Sequence, residues 1–459
     1  MADSVYTLLI VESPVIAGIL QSVSPQSVYV LATGGYCWHP SYKRSSGKLT
    51  AVADPEKRSF RKELKEQARW ANRIIIATDS DPSGDFIAWS LARYLKPRPV
   101  LRGYLKNLSK NGVRRLLDEV QELQAEQLEN RLKNRFALLG LWSEQKHLPD
   151  MQLAGISAMF GTPAAYTHFA EYNEDLQTYR SSESIESMYG ELHTFHRESE
   201  EKKWRISQPP STFDVVEHAY TQSFATGFRD AQSLLQTLFE TVLPHSGNSL
   251  ISYPRTTANG FYSESWESIR QQFLKISREI RFKPTFLQNS IDPESPHESI
   301  HPLRLSATPD EVAGEIHSRL GNLYKWIYNQ TLQAIQLPEM LEISYSSELN
   351  PGLYLYPLQA PSAPGSKQIT VHPVFTISDF GKGLNRLGVC KPSGFGNRMD
   401  EWVYKKWIRI EEGAVKPGTA LKKHLNRAAE FRSILTKLNG HMQSGSFSAE
   451  TVRRILTSE

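Results

Sequence analysis

Two apolar runs near the amino terminus set the frame of this chain. Leu8-Leu9-Ile10-Val11, led in by Tyr6 and Thr7, and Ile74-Ile75-Ile76 are unbroken apolar stretches, the pattern of strands buried on both faces of a parallel sheet. A helix signature follows each of them. After the first, Ser13 and Pro14 open a segment with apolar Ile16, Ile19 and Leu20; after the second, Phe86, Ile87, Trp89, Leu91, Tyr94 and Leu95 recur at helical spacing. Further on, residues 123–148, 231–243 and the stretch from 380 onward read as helical, whereas 188–196 and 341–356 are alternating or β-rich. These two β segments bracket a largely helical stretch. They are predicted to form one small sheet domain that presents the helical insertion at its tip, with Pro209-Pro210 and Pro361-Ser362-Ala363-Pro364-Gly365 marking the two passages. The chain shows no repeat of solenoid length and no long low-complexity segment.

Composition narrows the setting. A chain of 459 residues is too long for one ordinary core and is expected to divide into several domains. No apolar run approaches membrane-spanning length, and no basic segment leads into a cleavable apolar one at the start, so the expected location is the cytoplasm, without a membrane partner. Two cysteines, Cys37 and Cys390, exclude a disulfide framework and a cysteine-rich zinc module. The net charge of +4 is modest, but its distribution is uneven: from Lys382 onward there are fifteen Lys or Arg against seven Asp or Glu, interleaved with Trp402, Tyr404 and Trp407. Basic groups neutralise phosphates and aromatic faces stack bases, which suits single-stranded nucleic acid; a solvated helical surface with core aromatics has the same composition.

The chemistry concentrates at the ends of the apolar runs. Ile76-Ala77-Thr78-Asp79-Ser80-Asp81-Pro82-Ser83-Gly84-Asp85 delivers carboxylates into a turn that opens a helix. Asp79 and Asp81, two apart, point to one face of an extended chain and reach one cleft at the carboxyl end of a parallel sheet. Hard oxygen donors in that arrangement favour Mg²⁺; the same Asp, Ser and Gly also suit a plain helix cap. Val11-Glu12-Ser13-Pro14 repeats the arrangement and sets Glu12 beside the aspartates. In the middle of the chain, Ile251-Ser252-Tyr253-Pro254-Arg255-Thr256 reads as a short strand ending in a turn. Its Tyr253 and Arg255 are a candidate phosphodiester-cleaving pair, the phenol attacking phosphorus while the guanidinium holds the nonbridging oxygens. A phenol with pKa ~10 needs nearby positive charge for this. Pro296-His297-Glu298-Ser299-Ile300-His301-Pro302 offers His297 as a second donor to the phosphate.

In this order, a Glu-Ser-Pro strand end, an Asp-x-Asp turn, Ile-Ser-Tyr-Pro-Arg-Thr, His-Glu-x-Ile-x-Pro and Leu387-Gly388-Val389-Cys390-Lys391-Pro392-Ser393 resemble the type IA DNA topoisomerases over roughly residues 5–440. The resemblance implies a multidomain α/β, α and small-β chain: a toroid with a Rossmann-like Toprim domain at 1–122 and a helical strand-binding domain at 123–180 and 373–459. A small β hinge would occupy 181–218 and 338–372, and a helical domain carrying the tyrosine 219–337. It implies transient, ATP-independent cleavage of one strand through a 5′-phosphotyrosine on Tyr253, with Arg255 and His297 stabilising charge and Glu12 as acid and base. Mg²⁺ would be held by Asp79, Asp81, Asp85 and Glu12, and Arg131, Lys133, Arg135 and Lys391 would touch nucleic acid. The implied substrate is single-stranded or negatively supercoiled DNA, handled by a monomer, with a helicase as candidate partner.

The chain also departs from the family pattern. Ile16 stands where the family has an assisting lysine, Lys43 and Arg44 being candidates to replace it. Pro82, Ser83 and Asp85 stand for Arg, Glu and Glu, Gly34-Gly35 for a Gly-His pair, and Met159-Phe160-Gly161-Thr162 for Gly-Arg-Val-Gln. These losses fall on phosphate-binding and assisting groups, so a clamp on single strands with little or no turnover is the alternative to an active enzyme.

Overall fold

The computed structural model describes residues 6–160, 168–169, 179–181, 192–204, 208–243, 249–276, 297–335, 339–347, 354–357, 367–370, 373–411, 413–443 and 448–457. The amino-terminal unit runs β1 (Thr7–Val11), α1 (Pro14–Val23), β2 (Val28–Ala32), a hairpin of β3 (Trp38–Lys43) and β4 (Lys48–Ala53), α2 (Arg58–Trp70), β5 (Arg73–Ile76), α3 (Pro82–Leu95), β6 (Leu101–Arg102), α4 (Lys110–Asp118) and β7 (Gln121–Glu122). The two apolar runs are neighbours in its sheet, whose order is β2-β1-β5-β6-β7; β1 is parallel to β2 and β5, and only the edge strand β7 is antiparallel. Alternation sends Leu9, Val11, Ile75 and Ala77 into one core with Leu20 and Leu116, and Leu8, Ile10, Ile74 and Ile76 into another with Leu64, Phe86 and Trp89. The chain leaves β1 towards β2 on one side and returns through α2 to β5 on the other. The carboxyl ends of β1 and β5 therefore flank a topological switch point, where crevices form in such sheets.

The rest continues through α5 (Ala125–Glu144), α6 (Met151–Phe160), β8 (His168–Phe169), β9 (Tyr179–Ser181) and β10 (Leu192–Trp204), then helices α7 (Thr212–Thr221), α8 (Phe228–Glu240), α9 (Ser263–Ile276), α10 (Pro309–Ala313) and α11 (Ser318–Ile335). It returns in β11 (Glu339–Ser347), β12 (Tyr354–Pro357), β13 (Lys367–Thr370) and β14 (Pro373–Thr376), and ends with α12 (Ile377–Arg386), α13 (Phe395–Tyr404), β15 (Ile408–Glu411), β16 (Ala414–Pro417), α14 (Ala428–Gln443) and α15 (Ala449–Thr457). β10 pairs antiparallel with β11, Trp204 lying opposite Glu339, so the helical stretch between them leaves and re-enters the sheet at one point. That stretch packs into a core shared with the first unit: Phe213, Phe239, Ile251 and Tyr253 belong to the same buried cluster as Leu9 and Val11.

Several elements differ from the sequence expectation. The sheet runs in the order β13-β10-β11-β12-β9-β8-β14-β16-β15, so it takes strands from the 123–180 and 373–459 spans as well. Backbone hydrogen bonds recruit short edge strands whatever their side-chain pattern. The 181–218 span ends not in a strand but in α7, which is fixed by a capping box between Ser211 and Asp214. Around Tyr253 there is no strand either, only bridges from Ser249 to Val242 and Ile251 to Pro302. The Pro361–Gly365 passage lies outside the described residues. Trp402 is fully buried, its Nε1 donating to Gln152 at 2.9 Å, which makes it core rather than a stacking platform. No helix among the described residues is long and apolar enough to cross a membrane.

Candidate active site

Strand register builds the acidic half of the site. Ile10 lies opposite Ile76, and Ala77 N–H donates to Ile10 O at 2.7 Å, so Glu12 and Asp79 emerge side by side at the switch point. The turn after β5 is tight: a Cβ at Gly84 would lie 2.0 Å from Asp79 O, so only glycine closes it. Asp81 caps α3, accepting from Gly84 N–H at 2.9 Å. The cap and the acidic site are therefore the same turn. Arg102, unremarked in the sequence, is buried beneath it and donates to Thr78 Oγ1 at 2.9 Å and Asp79 O at 3.0 Å, with its guanidinium 4.8 Å from the Tyr104 ring centroid. No local pattern marks that arginine, because its partners come from another strand.

The nucleophile half is held by its backbone. Tyr253 N–H donates to Lys106 O at 3.0 Å, Ser252 N–H to His301 O at 2.9 Å, and Thr212 Oγ1 to Pro254 O at 2.7 Å. This network points the phenol at the acidic turn: Tyr253 Oη donates to Asp79 Oδ1 at 2.7 Å, and Arg255 donates to Asp79 Oδ2. The His297 ring stacks on Tyr253 at 3.9 Å between centroids, and its buried Nδ1 has no hydrogen-bond partner among the described residues. A cavity of about 350 Å³ opens between the halves, lined by Glu12, Gly34, Asp79, Gln236, Tyr253, Arg255 and His297 among others.

Burial and charge set the protonation states. Burial, reinforced by Asp79 and Asp81, pushes Glu12 up to about 7. Burial and the adjacent Asp79 hold the Tyr253 phenol well above its ordinary value, so it is protonated at neutral pH. Burial, with Arg102, Lys106 and Arg255 nearby, lowers His297 to about 3, leaving a neutral imidazole.

The remaining candidates disperse. Asp85, an expected metal ligand, is engaged in ion pairs with Arg102 at 3.9 Å and Arg131 at 3.4 Å. Lys133 pairs with Glu129 at 2.7 Å. Arg131, Arg135 and Lys391 line a groove of about 300 Å³ that begins at Ser80 and Asp81 and continues over Leu138, Leu139 and Val389. Ile16 lines the cavity as an apolar wall, and Arg44 is turned to Ser143 and Glu144 of α5. Lys57 instead reaches the Gly34 loop, donating to Thr33 O at 3.0 Å and Gly34 O at 2.8 Å. Among the described residues no three acidic, His or Cys side chains converge as ligands. Both oxygens of Asp79 are engaged by Tyr253 and Arg255. The donor that fits Mg²⁺ is Asp81, joined by Glu12 or Asp79 only while these are ionised and released from their partners, since that ion binds through one or two carboxylates plus phosphate and water.

Fold and site together define a Toprim protein with a tyrosine-bearing helical unit closed over its acidic turn, and residues 7–113 match the Toprim domain family. DNA topoisomerase 1 of Campylobacter jejuni is 24% identical over 388 residues, covering 72% of this chain and 55% of the relative. DNA topoisomerase 1 of Thermotoga maritima is 22% identical over 394 residues, covering 74% and 60%. The structure of full-length topoisomerase I from Thermotoga maritima aligns with a TM-score of 0.62 at 16% identity, over 98% of this chain and 89% of that one. The chain therefore carries a Toprim domain and shares the fold of that topoisomerase I. It spans about half to three fifths of the length of the curated relatives it matches.

Proposed function

We propose that this chain is a type IA-like DNA topoisomerase, breaking and rejoining one strand through Tyr253 to relax negatively supercoiled DNA or unlink single strands without ATP. The observation that carries this reading is the hydrogen bond of Tyr253 to Asp79, residues 174 positions apart, with Arg255 on the same carboxylate. A buried tyrosine needs no acidic partner to fold; one aimed at an acid-lined cavity, with a guanidinium beside it, is arranged to attack phosphorus.

A phosphate entering the cavity competes with Asp79 for Arg255, which can fork onto two nonbridging oxygens. As the Tyr253 oxygen bonds to phosphorus, its proton passes to Asp79, already its acceptor, and the bond from phosphorus to the 3′ oxygen breaks. Glu12, protonated below about pH 7, supplies the proton that this leaving oxygen takes up. Religation runs the same steps backwards: the 3′-hydroxyl attacks, Glu12 recovers its proton, and the phenol is released. The phosphotyrosine ester keeps the energy of the broken bond, so no nucleotide is consumed. Neutral His297 fixes the phenol ring by stacking and presents its unpartnered nitrogen to the phosphate. Mg²⁺ held by Asp81, with phosphate and water completing its shell, would supply positive charge against the phosphate backbone, while Glu12 and Asp79 carry the protons.

The test is Mg²⁺-dependent relaxation of negatively supercoiled plasmid by the wild type and by Tyr253→Phe. The wild type is expected to relax the plasmid and to form a covalent adduct with a single-stranded oligonucleotide, and the variant to do neither; equal activity in both sinks the mechanism. The second reading, a single-strand clamp with little turnover, draws on the engagement of Asp79 by Tyr253 and Arg255 and of Asp85 by Arg102 and Arg131. Folded wild type that binds single strands but yields no adduct would establish it.

A further inference from the structure

A second basic and aromatic surface lies outside both the cavity and the groove. α13 ends in Val403 and Tyr404 and is followed by Lys405 and Lys406, all four exposed, Tyr404 at 87%. The chain then doubles back so that Gly418 N–H donates to Trp407 O at 2.9 Å and Ala420 N–H to Lys406 O at 3.1 Å. This contact sets exposed Lys422 and Lys423 next to the α13 turn. Lys405 is tied to Glu401 at 2.6 Å and lies over the Trp407 ring, but Lys406, Lys422 and Lys423 have no ion-pair partner among the described residues. Lys406 also adopts a φ of 57°, the left-handed conformation that ordinarily favours glycine at the end of a helix. Burial, and then the neighbouring Lys423 and Arg427, lower the pKa of His424.

We infer that Tyr404, Lys406, Lys422 and Lys423 form an outer holding site for single-stranded nucleic acid, engaging the strand after it leaves the groove. Exposed lysines without an ion-pair partner among the described residues, on a segment joined by backbone hydrogen bonds to the one carrying an exposed phenol, match alternating phosphates and unpaired bases; a duplex, whose bases are already stacked on one another, offers the ring no face. The site lies on the helix that edges the groove, about a third of a turn round from the groove face. Arg398, on the same helix, lines the groove, and Tyr404 lies six residues further, about 9 Å along the axis. This site rests on the nucleic-acid substrate of the proposed function, but not on cleavage.

The test compares fluorescence anisotropy of two single-stranded oligonucleotides, one spanning only the groove and one long enough to pass Tyr404, plus a duplex of equal charge. The triple variant Lys406→Gly, Lys422→Ala, Lys423→Ala is expected to weaken binding of the long strand and to reduce its salt slope by about 2, at roughly 0.7 per single-strand phosphate contact. Tyr404→Ala is expected to weaken it about tenfold, through loss of one stacked base. Binding and cleavage of the short strand, and the thermal midpoint of the protein, stay at wild-type values. An unchanged long-strand slope in the triple variant overturns the site, as does equal loss on the short strand or a preference for the duplex. Wild type that binds neither oligonucleotide overturns the nucleic-acid reading as a whole, a result distinct from the others.

Discussion

Asp79 is the residue on which the site turns. One carboxylate accepts from the phenol and from the guanidinium, so the nucleophile and its electrophilic partner are both held until a phosphate displaces them. Arg255→Lys keeps the charge but loses the fork that can serve two oxygens. It is expected to slow oligonucleotide cleavage about a hundredfold, measured as covalent adduct formed in a single turnover. Glu12 carries a different prediction. Its raised pKa of about 7 means that the acid form prevails below that value and is lost as pH rises through it, so wild-type cleavage should decline above neutrality. Glu12→Gln should be slower by about 10²- to 10⁴-fold and lack that decline. The acids and the tyrosine were legible in the sequence because each stands where an apolar run or a characteristic turn ends. Arg102 was not, since a buried arginine on a two-residue strand has no local signature and is explained only by the oxygens above it. Asp85 was legible as an acid but not as an ion-pair partner, because Arg102 and Arg131 reach it from other elements.

Among the elements, α8 shows how helices here depend on their neighbours. Its N-cap, Gly227, has no side chain to satisfy the first amides; Asp400 of α13 does so instead, accepting from Phe228 N–H at 3.1 Å and Arg229 N–H at 2.9 Å. The same helix carries Gln236 into the cavity and Phe239 edge-on to Tyr253, with ring centroids 5.6 Å apart. Removing the cap therefore reaches the nucleophile. Asp400→Ala is expected to destabilise the protein by about 1–2 kcal/mol, measured by denaturant unfolding, with Asp400→Asn recovering much of the loss. The expected helix at 231–243 starts three residues earlier for this reason: a cap supplied from 172 positions away cannot be read locally.

At the scale of the whole molecule, the tyrosine unit is fastened on two sides. Towards the Toprim unit it uses Asp79, Lys106 O and the Ser249 hydroxyl; towards the C-terminal helices it uses α7 against α12. In that second contact, half-buried Asp214 accepts from Lys382 at 2.8 Å, Ser378 Oγ at 2.5 Å and Asn259 Nδ2 at 3.1 Å. Burial would raise the Asp214 pKa, but Lys382 and these donors hold it low. Its neighbour Glu217 accepts from Ser378 N–H at 2.6 Å, yet burial, with Asp214 and Asp379 adding to it, pushes its pKa up to about 7. A carboxyl raised on folding binds more protons in the native state between its unfolded and folded values. Stability from this group is thus present at low pH and lost as pH rises from about 4.5 to 7. Glu217→Gln is expected to raise stability at pH 8 by roughly 2–3 kcal/mol and to leave it unchanged near pH 4, measured by urea unfolding at both pH values.

The sequence by itself determined the Toprim strands, the acidic turn, Tyr253 with Arg255, and a helical stretch set between two β segments. Those features are local: a buried strand needs a continuous apolar run, and a tight turn needs Asp, Ser and Gly at particular steps. Only the tertiary structure decided that β10 and β11 meet where the chain leaves and returns, that Asp79 is shared by Tyr253 and Arg255, that Asp85 belongs to arginines, and that Trp402 is core while Tyr404 stands in solvent. These depend on which oxygens, ammonium groups and rings come within a few ångströms of one another. That proximity is set by the packing of elements separated by more than a hundred residues.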